Sequence, residues 1–430
     1  MSTVRTSCDV LVVGAGIVGL AHAAAAHDLG LDVVVIDRDH RAVGESVRNF
    51  GHCCVTAQSG DLLDLARVAR QRWLDLSRRA GFWAVASGGL VAARSPEELA
   101  VLEEYAAVRR AGAEDSTSAE DSTSSEDSTS AGDRASARGD TGWGSVPARG
   151  TDARPGAGAG PGPDVVRADE VALLTAAETR DRLGGAATSV VGGLALHADL
   201  RVDPREAVGR LAAWLEADGV RFLWNTTSLG TEGAVTTTSR GMIRAERTVT
   251  CVGPDLDRLL PQIADDAGLE RCVLQMTLLA DPGLRIGPAV LSGTSLLHYA
   301  AFADLATLTP LRARLAERRP DLLAIEANVM ATQRPDGTIL AGDTHTYAPT
   351  PTPFLDEGAT DLVLAEVTDL LGLGAPRVLQ RWRGVHAQGP DPYLLVDRGD
   401  GHLVCAVTDT VGMTIAFGLA ARTFPPPRAA

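Results

Sequence analysis

The chain has 430 residues, with 55 Asp and Glu against 40 Lys and Arg, for a formal net charge of −15. Such an acidic chain lacks the basic footprint that displaces phosphate counterions, so nucleic acid is not an expected partner. A hydrophobic fraction of 45% supports true cores, and at about 100–200 residues per domain the length predicts two or three of them.

The first element is an apolar strand from Cys8 to Val13, followed by Gly14-Ala15-Gly16-Ile17-Val18-Gly19 and an alanine-rich helix to about Leu29. Gly30 ends that helix, because glycine tolerates the left-handed cap. Leu31 to Ile36 is a second buried strand, closed by Asp37. Strand, helix and strand form one βαβ unit. A glycine-bearing loop spans Arg41 to Gln58, and Leu62, Leu65, Ala66, Ala69, Trp73 and Leu76 then form a helical stripe over 61–80. Gly89 to Ala93 reads as a strand. Ser95-Pro96-Glu97-Glu98 opens a helix with cap, proline and acidic first turn in order, running to about Arg110.

Residues 113–163 differ in kind. Glu-Asp-Ser-Thr-Ser occurs three times, beginning at Glu114, Glu120 and Glu126, before a Gly/Ala/Pro/Arg run in which only Trp143 and Val146 could anchor a core. So little apolar surface cannot offset the entropy of ordering the segment, which is expected to be a disordered, low-complexity insertion. Without its six repeat carboxylates the charge of −15 becomes −9.

Ordered sequence resumes near Asp164. Asp203-Pro204 starts a helix with the stripe Val208, Leu211, Trp214 and Leu215, ended by Gly219, and Val220 to Trp224 is a strand. A β-rich stretch follows: Gly233 to Thr238, Gly241 to Ala245, and Thr248 to Val252, closed by Gly253-Pro254. Arg271 to Leu279, Leu296 to Phe302 and Ala324 to Gln333 also read as strands, with a turn signal at Asp336-Gly337. Glu357 to Leu371 is a helix and His402 to Val407 a strand. Gly412-Met413-Thr414 begins a small-residue helix that reaches about Thr423 and stops at Pro425-Pro426-Pro427.

No apolar run of about 18 residues occurs, so no membrane-spanning helix is expected. The stretch from Val10 to Ala25 imitates a signal peptide, but Asp9 opens it and three glycines stand inside it at fixed spacing. Cys8, Cys53, Cys54, Cys251, Cys272 and Cys405 include no CxxC pair. Free thiols in a reducing, cytoplasmic compartment are the expectation.

The glycine motif carries the strongest chemistry. Gly14 permits the tight turn, Gly16 lets backbone approach a pyrophosphate, and Gly19 allows close helix–strand packing. The helix N-terminus at Ile17 and Val18 offers N–H groups and a positive dipole end. Asp37, 23 residues after Gly14, is placed to accept ribose hydroxyls, which disfavours a 2′-phosphate. After the second strand, regular βα units give way to a polar glycine loop and a β-rich middle. Strand-plus-glycine elements return at Thr250 to Gly253 and at Val407 to Thr414. A cofactor domain assembled from separate segments fits that order, and FAD fits it better than NAD.

The sequence resembles the D-amino-acid oxidase superfamily of FAD-dependent amine oxidoreductases, which includes glycine oxidase and monomeric sarcosine oxidase. The residues that carry the resemblance are Asp9 to Gly19, Val35 to Arg38, Ser46-Val47-Arg48-Asn49-Phe50-Gly51, Val202 to Arg205, Val249 to Pro254, and Gly412-Met413-Thr414. Within it, the Ser46–Gly51 loop, Gln275-Met276 and Gly342-Asp343-Thr344-His345 resemble a bacterial branch associated with aminophosphonate metabolism. The resemblance implies an α/β fold: a Rossmann-like FAD-binding domain interleaved with a mixed-sheet α+β substrate domain. Its FAD-binding parts would be 1–90, 201–260 and 381–430, and its substrate-domain parts 91–112, 164–200 and 261–380.

The resemblance also implies non-covalent FAD held by Gly14, Gly16, Ile17, Val18, Gly19, Asp37, Arg38, Ser46, Arg48, Asn49, Gly253, Gly412, Met413 and Thr414. Relatives that attach flavin through cysteine place it where this chain has Gly384. The last helix would set a positive end near reduced flavin, although Asp409 just before it departs from the usual glycine-rich turn. The implied reaction takes hydride from the carbon next to an amine to flavin N5, giving an imine that hydrolyses, with O2 or another acceptor completing the cycle. Relatives place an Arg or Tyr clamp for the substrate near the segment Arg381 to His386. Here His386 stands at the nearest position, with Arg383 as an alternative clamp for an anionic amine. His52 and His345 are further candidates to steer or deprotonate the amine, because histidine titrates near neutrality. No metal site is expected. The competing readings are an NAD-linked dehydrogenase and a flavin-binding protein that has lost activity.

Overall fold

The computed structural model describes residues 4–123 and 170–426. The strand Val4–Val13 lies inside an eight-stranded sheet, parallel to Val33–Ile36 on one side and to Gly241–Thr250 on the other. Arg221–Leu223 extends the sheet beyond Val33–Ile36. His402–Val407 joins parallel to the end of Gly241–Thr250, and Tyr393–Asp397 pairs antiparallel with it. Ser228–Glu232 and Val235–Thr238 form an antiparallel ribbon on the beginning of the same long strand. Side chains alternate across a strand. Val10, Val12, Val33 and Val35 therefore face the main core with the helices Ile17–Asp28, Gly60–Ala80, Pro204–Ala217 and Gly412–Thr423. Leu11, Val13, Val34 and Ile36 fill a smaller cluster behind.

Trp73 ties two of those helices together. It is fully buried, packs edge-on against Phe82 and Phe417, and donates from Nε1 to the Met413 carbonyl at 2.8 Å. A buried indole N–H needs such a partner, and the bond fixes the start of the last helix.

The second sheet has nine strands. Its long strand Glu270–Leu279 pairs with Val378–Gln388 along one edge, and with Thr346–Ala348 and then Ile339–Gly342 along the other. The helix Glu357–Leu371 covers one face, where Val363 and Val367 pack with Leu279 and Ala341, and Thr360 donates to Gln275 Oε1 at 2.7 Å. The opposite face carries Met276, Leu278, Met330 and Leu340, packed with Phe50 and Cys54. A small sheet of His52–Cys53, Leu200–Val202 and Ala84–Val85 lies in the same loop region.

Most expected elements form, and the exceptions have physical reasons. The helix opened by Pro96 runs to Thr123, past Arg110 and into the stretch read as an insertion; residues 124–163 of that stretch lie outside the described residues. Gly241–Thr250 is one strand rather than two, because the charged Glu246 that breaks the sequence pattern sits on an exposed side. The apolar run at 296–302 forms the 3-10 turns Ser295–Leu297 and Ala300–Phe302, with Leu296 and Phe302 still buried. A short apolar run does not distinguish strand from buried turn. Of 324–333 only Met330–Gln333 is strand, because the helix Pro320–Ala324 occupies the beginning. Val378–Gln388 lies wholly in the second sheet, so the boundary expected at 380–381 falls inside a strand.

Candidate active site

The glycine turn is built from backbone. Gly14 sits at φ +104°, where a Cβ would meet the Cys251 carbonyl oxygen at 2.4 Å, and a Cβ on Gly19 would collide with the Gly14 carbonyl. Both positions therefore require glycine for geometry alone. A Cβ on Gly16 would meet only Ser46 Oγ, at 3.1 Å. That leaves the backbone open to a ligand at the one position where a pyrophosphate needs close approach. Gly16 caps the Ile17–Asp28 helix with no side-chain bond. Ser46 Oγ accepts the Ile17 N–H at 2.9 Å, and Val18 and Gly19 continue the first turn, so the polar loop lies against the helix N-terminus.

Asp37 closes the second strand. Its two carboxylate oxygens accept the N–H groups of Ala15 at 2.7 Å and Asp39 at 2.9 Å. Burial pushes its pKa up, and the two backbone donors pull it back. Arg38 is exposed and pairs with Asp255 and Asp39, bridging to the turn that begins at Gly253. Asn49 folds its own loop, donating to the Glu45 carbonyl and accepting the Gly51 N–H. Arg48 donates to the Arg383 carbonyl at 3.4 Å, and its own carbonyl accepts Trp382 Nε1 at 2.9 Å. The Gly412–Thr423 helix starts without a side-chain cap or an acid in its first turn, and the space over Gly412 is open. The Met413 carbonyl accepts Trp73 Nε1, and Thr414 Oγ1 accepts the Cys54 N–H at 3.1 Å. These segments form the candidate cofactor seam, and at two of them, Gly16 and Gly412, the space over the backbone is open enough for a dinucleotide to approach. Both stand at helix N-termini whose own N-cap residue makes no side-chain bond, although Ser46 Oγ already accepts the Ile17 N–H at the first.

The four expected catalytic residues separate into three places. His52 is buried and bonds through Nε2 to Asp199 Oδ2 at 2.8 Å, while Asp199 Oδ1 accepts the Thr56 N–H at 2.7 Å. A carboxylate only accepts, so Nε2 carries the proton and the His52 Nδ1 lone pair has no partner. Cys54 stands beside them, its thiol held well above the usual range by burial and by Asp199. His52, Cys54 and Asp199 bring potential metal-ligating atoms within 4.8 Å of one another. His52 Nε2 and both Asp199 oxygens are, however, already bonded within the protein.

His345 and His386 lie elsewhere, close enough to act on one another electrostatically. Cys272 is opposite His386 on one side and Tyr347 on the other, and Leu274 and Met276 are opposite Gly384 and Trp382. Directly opposed residues share a face, so His386 lies on the face that packs with Phe50 and Cys54. His386 Nδ1 donates to the Ala387 carbonyl at 2.8 Å, and His345 Nδ1 donates to the Glu326 carbonyl at 2.9 Å. Both Nε2 lone pairs are buried without a partner. His298 stacks on His345 at 4.8 Å. Burial, with His345, pushes His386 down, and burial takes His298 down to about 4. Arg383 is on the reverse face, opposite Gln275, and its guanidinium donates to the Thr352 carbonyl. It does not join the histidines.

Two acids that sequence reasoning gave no role complete the cluster. Glu45 reaches Gly384, where a Cβ would collide with its carboxyl, and burial pushes its pKa up to about 8. Asp343 is buried, raised by burial to about 6, and pulled down by His345. Each has a buried oxygen without a hydrogen-bond partner. Asp343 stands inside the quoted Gly342–His345 motif and Glu45 directly precedes the quoted Ser46–Gly51 loop, and in both cases the neighbours drew the attention. Asp199 has no sequence signal at all.

The family follows from the sequence comparison. A protein-family model described as "DAO: FAD dependent oxidoreductase" matches residues 9–132 and 162–423, and the chain belongs to that family. It is an FAD-dependent oxidoreductase, which sets aside an NAD-linked dehydrogenase. No curated protein matches the chain. Among solved structures it is similar to glycine oxidase from Geobacillus kaustophilus, at 16% identity and TM-score 0.68, covering 98% of this chain and 95% of that one. It is also similar to L-amino acid deaminase from Proteus vulgaris, at 15% identity and TM-score 0.68, covering 100% and 96%. A third is iminodiacetate oxidase from Chelativorans sp. BNC1, at 17% identity and TM-score 0.64, covering 98% and 97%. These likenesses show a shared fold.

Proposed function

We propose that this protein oxidises a small amine, removing hydride from the carbon next to nitrogen and leaving an imine that hydrolyses. FAD, held non-covalently along the Gly14–Gly19, Asp37, Ser46–Asn49, Gly253 and Gly412–Thr414 seam, supplies the hydride acceptor when bound. The observation that carries the amine reading is the pair of buried, unpartnered ring nitrogens on His345 and His386, the second on the sheet face that packs with Phe50 and Cys54. A neutral imidazole there can take the proton an ammonium must lose before its carbon gives up hydride. His52, oriented by Asp199, holds a third such lone pair on the strand leading to Cys54, which bonds the last helix. Names of similar structures support the amine class: glycine oxidase, amino acid deaminase and iminodiacetate oxidase.

Non-covalent attachment is supported by Gly384, which offers no sulfur, and by Cys53, whose thiol is buried and donates to the Met413 carbonyl. O2 serves as acceptor in this reading, with H2O2 as product. Amino acids and aminophosphonates are the substrates the sequence motifs favour. The six cysteines are buried free thiols, which supports a cytoplasmic site. Among the described residues no helix is long and apolar enough to cross a membrane.

The test is a peroxide-release and anaerobic flavin-reduction screen over glycine, sarcosine, D-amino acids, 2-aminoethylphosphonate and N-methylated forms. Reduction by at least one amine is expected. Flavin-loaded protein that no amine reduces would leave the inactive flavin-binding reading in its place.

A further inference from the structure

A cavity of about 230 Å³ opens at one end of the nine-stranded sheet, and neither the glycine turn nor Glu45, Asp343, His345 or His386 lines it. It lies where two parallel neighbours, Gly89–Ala93 and Ala289–Leu291, end. Arg94 and Ser95 continue the first strand, and Gly293 and Thr294 follow the second. The crevice outside the carboxyl ends of parallel strands is where open sheets leave room for a ligand. The helix Leu308–Arg318 contributes Arg314 and Arg318 to the walls, and the helix Glu357–Leu371 contributes Glu366 and Asp369.

Four arginines line the cavity, Arg94, Arg314, Arg318 and Arg319, against three carboxyls, Glu98, Glu366 and Asp369. The carboxyls are occupied within the chain. Glu366 pairs with Arg94 at 2.6 Å and also with Arg319, and Asp369 pairs with Arg94 at 2.8 Å. Glu98 is buried, and its Oε2 accepts the Arg94 N–H at 2.5 Å. Arg314 and Arg318 are placed differently. Four residues apart, they share one helix face. Arg314 Nε is 3.4 Å from Glu97 Oε2, yet that oxygen stays buried without a hydrogen-bond partner. Arg318 Nε is 3.7 Å from Oε1 of the adjacent Glu317, with both side chains exposed, and such a surface pair holds a guanidinium weakly. Ser189 also lines the cavity, and its buried hydroxyl has no partner. An orphaned buried polar atom in a native chain needs an explanation, and a ligand supplies one. A cation entering the cavity would find the carboxyls already paired. An anion would find guanidinium donors in excess and a free hydroxyl.

We infer that this cavity is a second ligand site, for a small, multiply charged oxyanion held by Arg314 and Arg318, with Ser189 donating its hydroxyl. The planar guanidinium fork matches the paired oxygens of a carboxylate or a phosphate. The volume sets the size. It falls below the roughly 300–1,000 Å³ of pockets that hold drug-sized ligands, which suits inorganic phosphate or a short dicarboxylate. The site stands apart from the amine-oxidation reading, because no residue named in its walls belongs to the proposed cofactor or substrate regions.

The test titrates FAD-loaded, full-length protein with sodium phosphate and with succinate by calorimetry, at an ionic strength held constant with NaCl. Acetate is the singly charged control. Loading with FAD keeps the ions off the glycine turn. Saturable binding of one ion per chain is expected, with acetate weaker by about ten-fold or more. Tighter phosphate assigns the site to a phosphate, and tighter succinate assigns it to a dicarboxylate. Arg314→Gln combined with Arg318→Gln is expected to weaken the preferred ion by about ten-fold or more, with FAD content and ligand-free Tm as in the parent. Ser189→Ala is expected to weaken it by about three-fold. Absence of saturable binding for both ions overturns the inference. So does binding that the double arginine variant leaves unchanged, which would put the ion elsewhere, and so does acetate that binds as tightly as the other two. None of these results bears on amine oxidation, which anaerobic flavin reduction reads separately.

Discussion

The glycine-turn region, proposed to hold the cofactor, and the acid–histidine region of the second sheet, proposed to meet substrate, solve the problem of buried polarity in opposite ways. At the glycine turn every expected contact uses backbone or a short side chain from a neighbouring segment. Asp37 is satisfied by Ala15 and Asp39, Ser46 takes the Ile17 N–H, and Asn49 folds back onto Glu45 and Gly51. In the acid–histidine region Glu45, Asp343, His345 and His386 each leave a polar atom unmatched. The glycine-turn region meets its polar side chains from within the chain, whereas the second region leaves buried polar atoms without partners. That difference supports the proposed division between a fixed cofactor and exchangeable substrates.

The largest effect should come from the seam. Gly14→Val would force a β-branched residue to φ +104° with its Cβ 2.4 Å from the Cys251 carbonyl oxygen. It is expected to abolish FAD retention, read as the flavin-to-protein absorbance ratio. Gly16→Ala, whose Cβ meets only Ser46 Oγ, should keep the fold and weaken FAD by about ten-fold, a difference of about 1.4 kcal/mol. Equal damage from both would break the distinction between a geometric and a ligand-facing glycine.

Next is His386→Gln. It keeps a polar group on the same sheet face and removes the imidazole, so kcat/KM should fall by about 10²–10⁴-fold with FAD content unchanged. Loss of FAD along with activity would mean that the two regions are not separate.

Glu45→Gln tests the unmatched acid. Its folded pKa is about 8, raised mainly by burial from an ordinary value of 4.5. The group's contribution to stability is therefore fully present below about 4.5 and is lost as pH rises through about 8. The variant should hold its Tm between pH 6 and 9 where the parent loses a few degrees, of the order of ~2–6 °C. Matching Tm profiles would show that the carboxyl finds a partner after all.

The smallest change belongs to Arg383→Ala. With its side chain on the reverse face at Thr352, kcat and KM for any amine should stay within about two-fold, as expected for a residue outside the acid–histidine region.

The contrast also explains what the sequence made legible. The seam depends on spacing within single segments: Gly14 to Gly19, Asp37 at the end of the next strand, Gly412 to Thr414 at a helix start. Local spacing is visible in a linear chain. The acid–histidine region depends on register between strands far apart in sequence. His386 and Arg383 lie on opposite faces because one pairs with Cys272 and the other with Gln275, and a strand's period of two turns three residues into opposite faces. Without the partner strand, the two are indistinguishable candidates. His345 and His386 were legible as residue types, but their shared tautomer was not, because it is set by the Glu326 and Ala387 carbonyls. Asp199 lies in an apolar stretch after a buried strand, and only the fold brings it to His52.

Anaerobic titration of the FAD-loaded protein with a small amine, followed by admission of air, tests the central claim most directly. Amine oxidation predicts bleaching of the visible flavin band in proportion to added amine, then its return with release of H2O2. A flavin band that no cationic or anionic amine alters, in protein that binds FAD and remains folded, would contradict it.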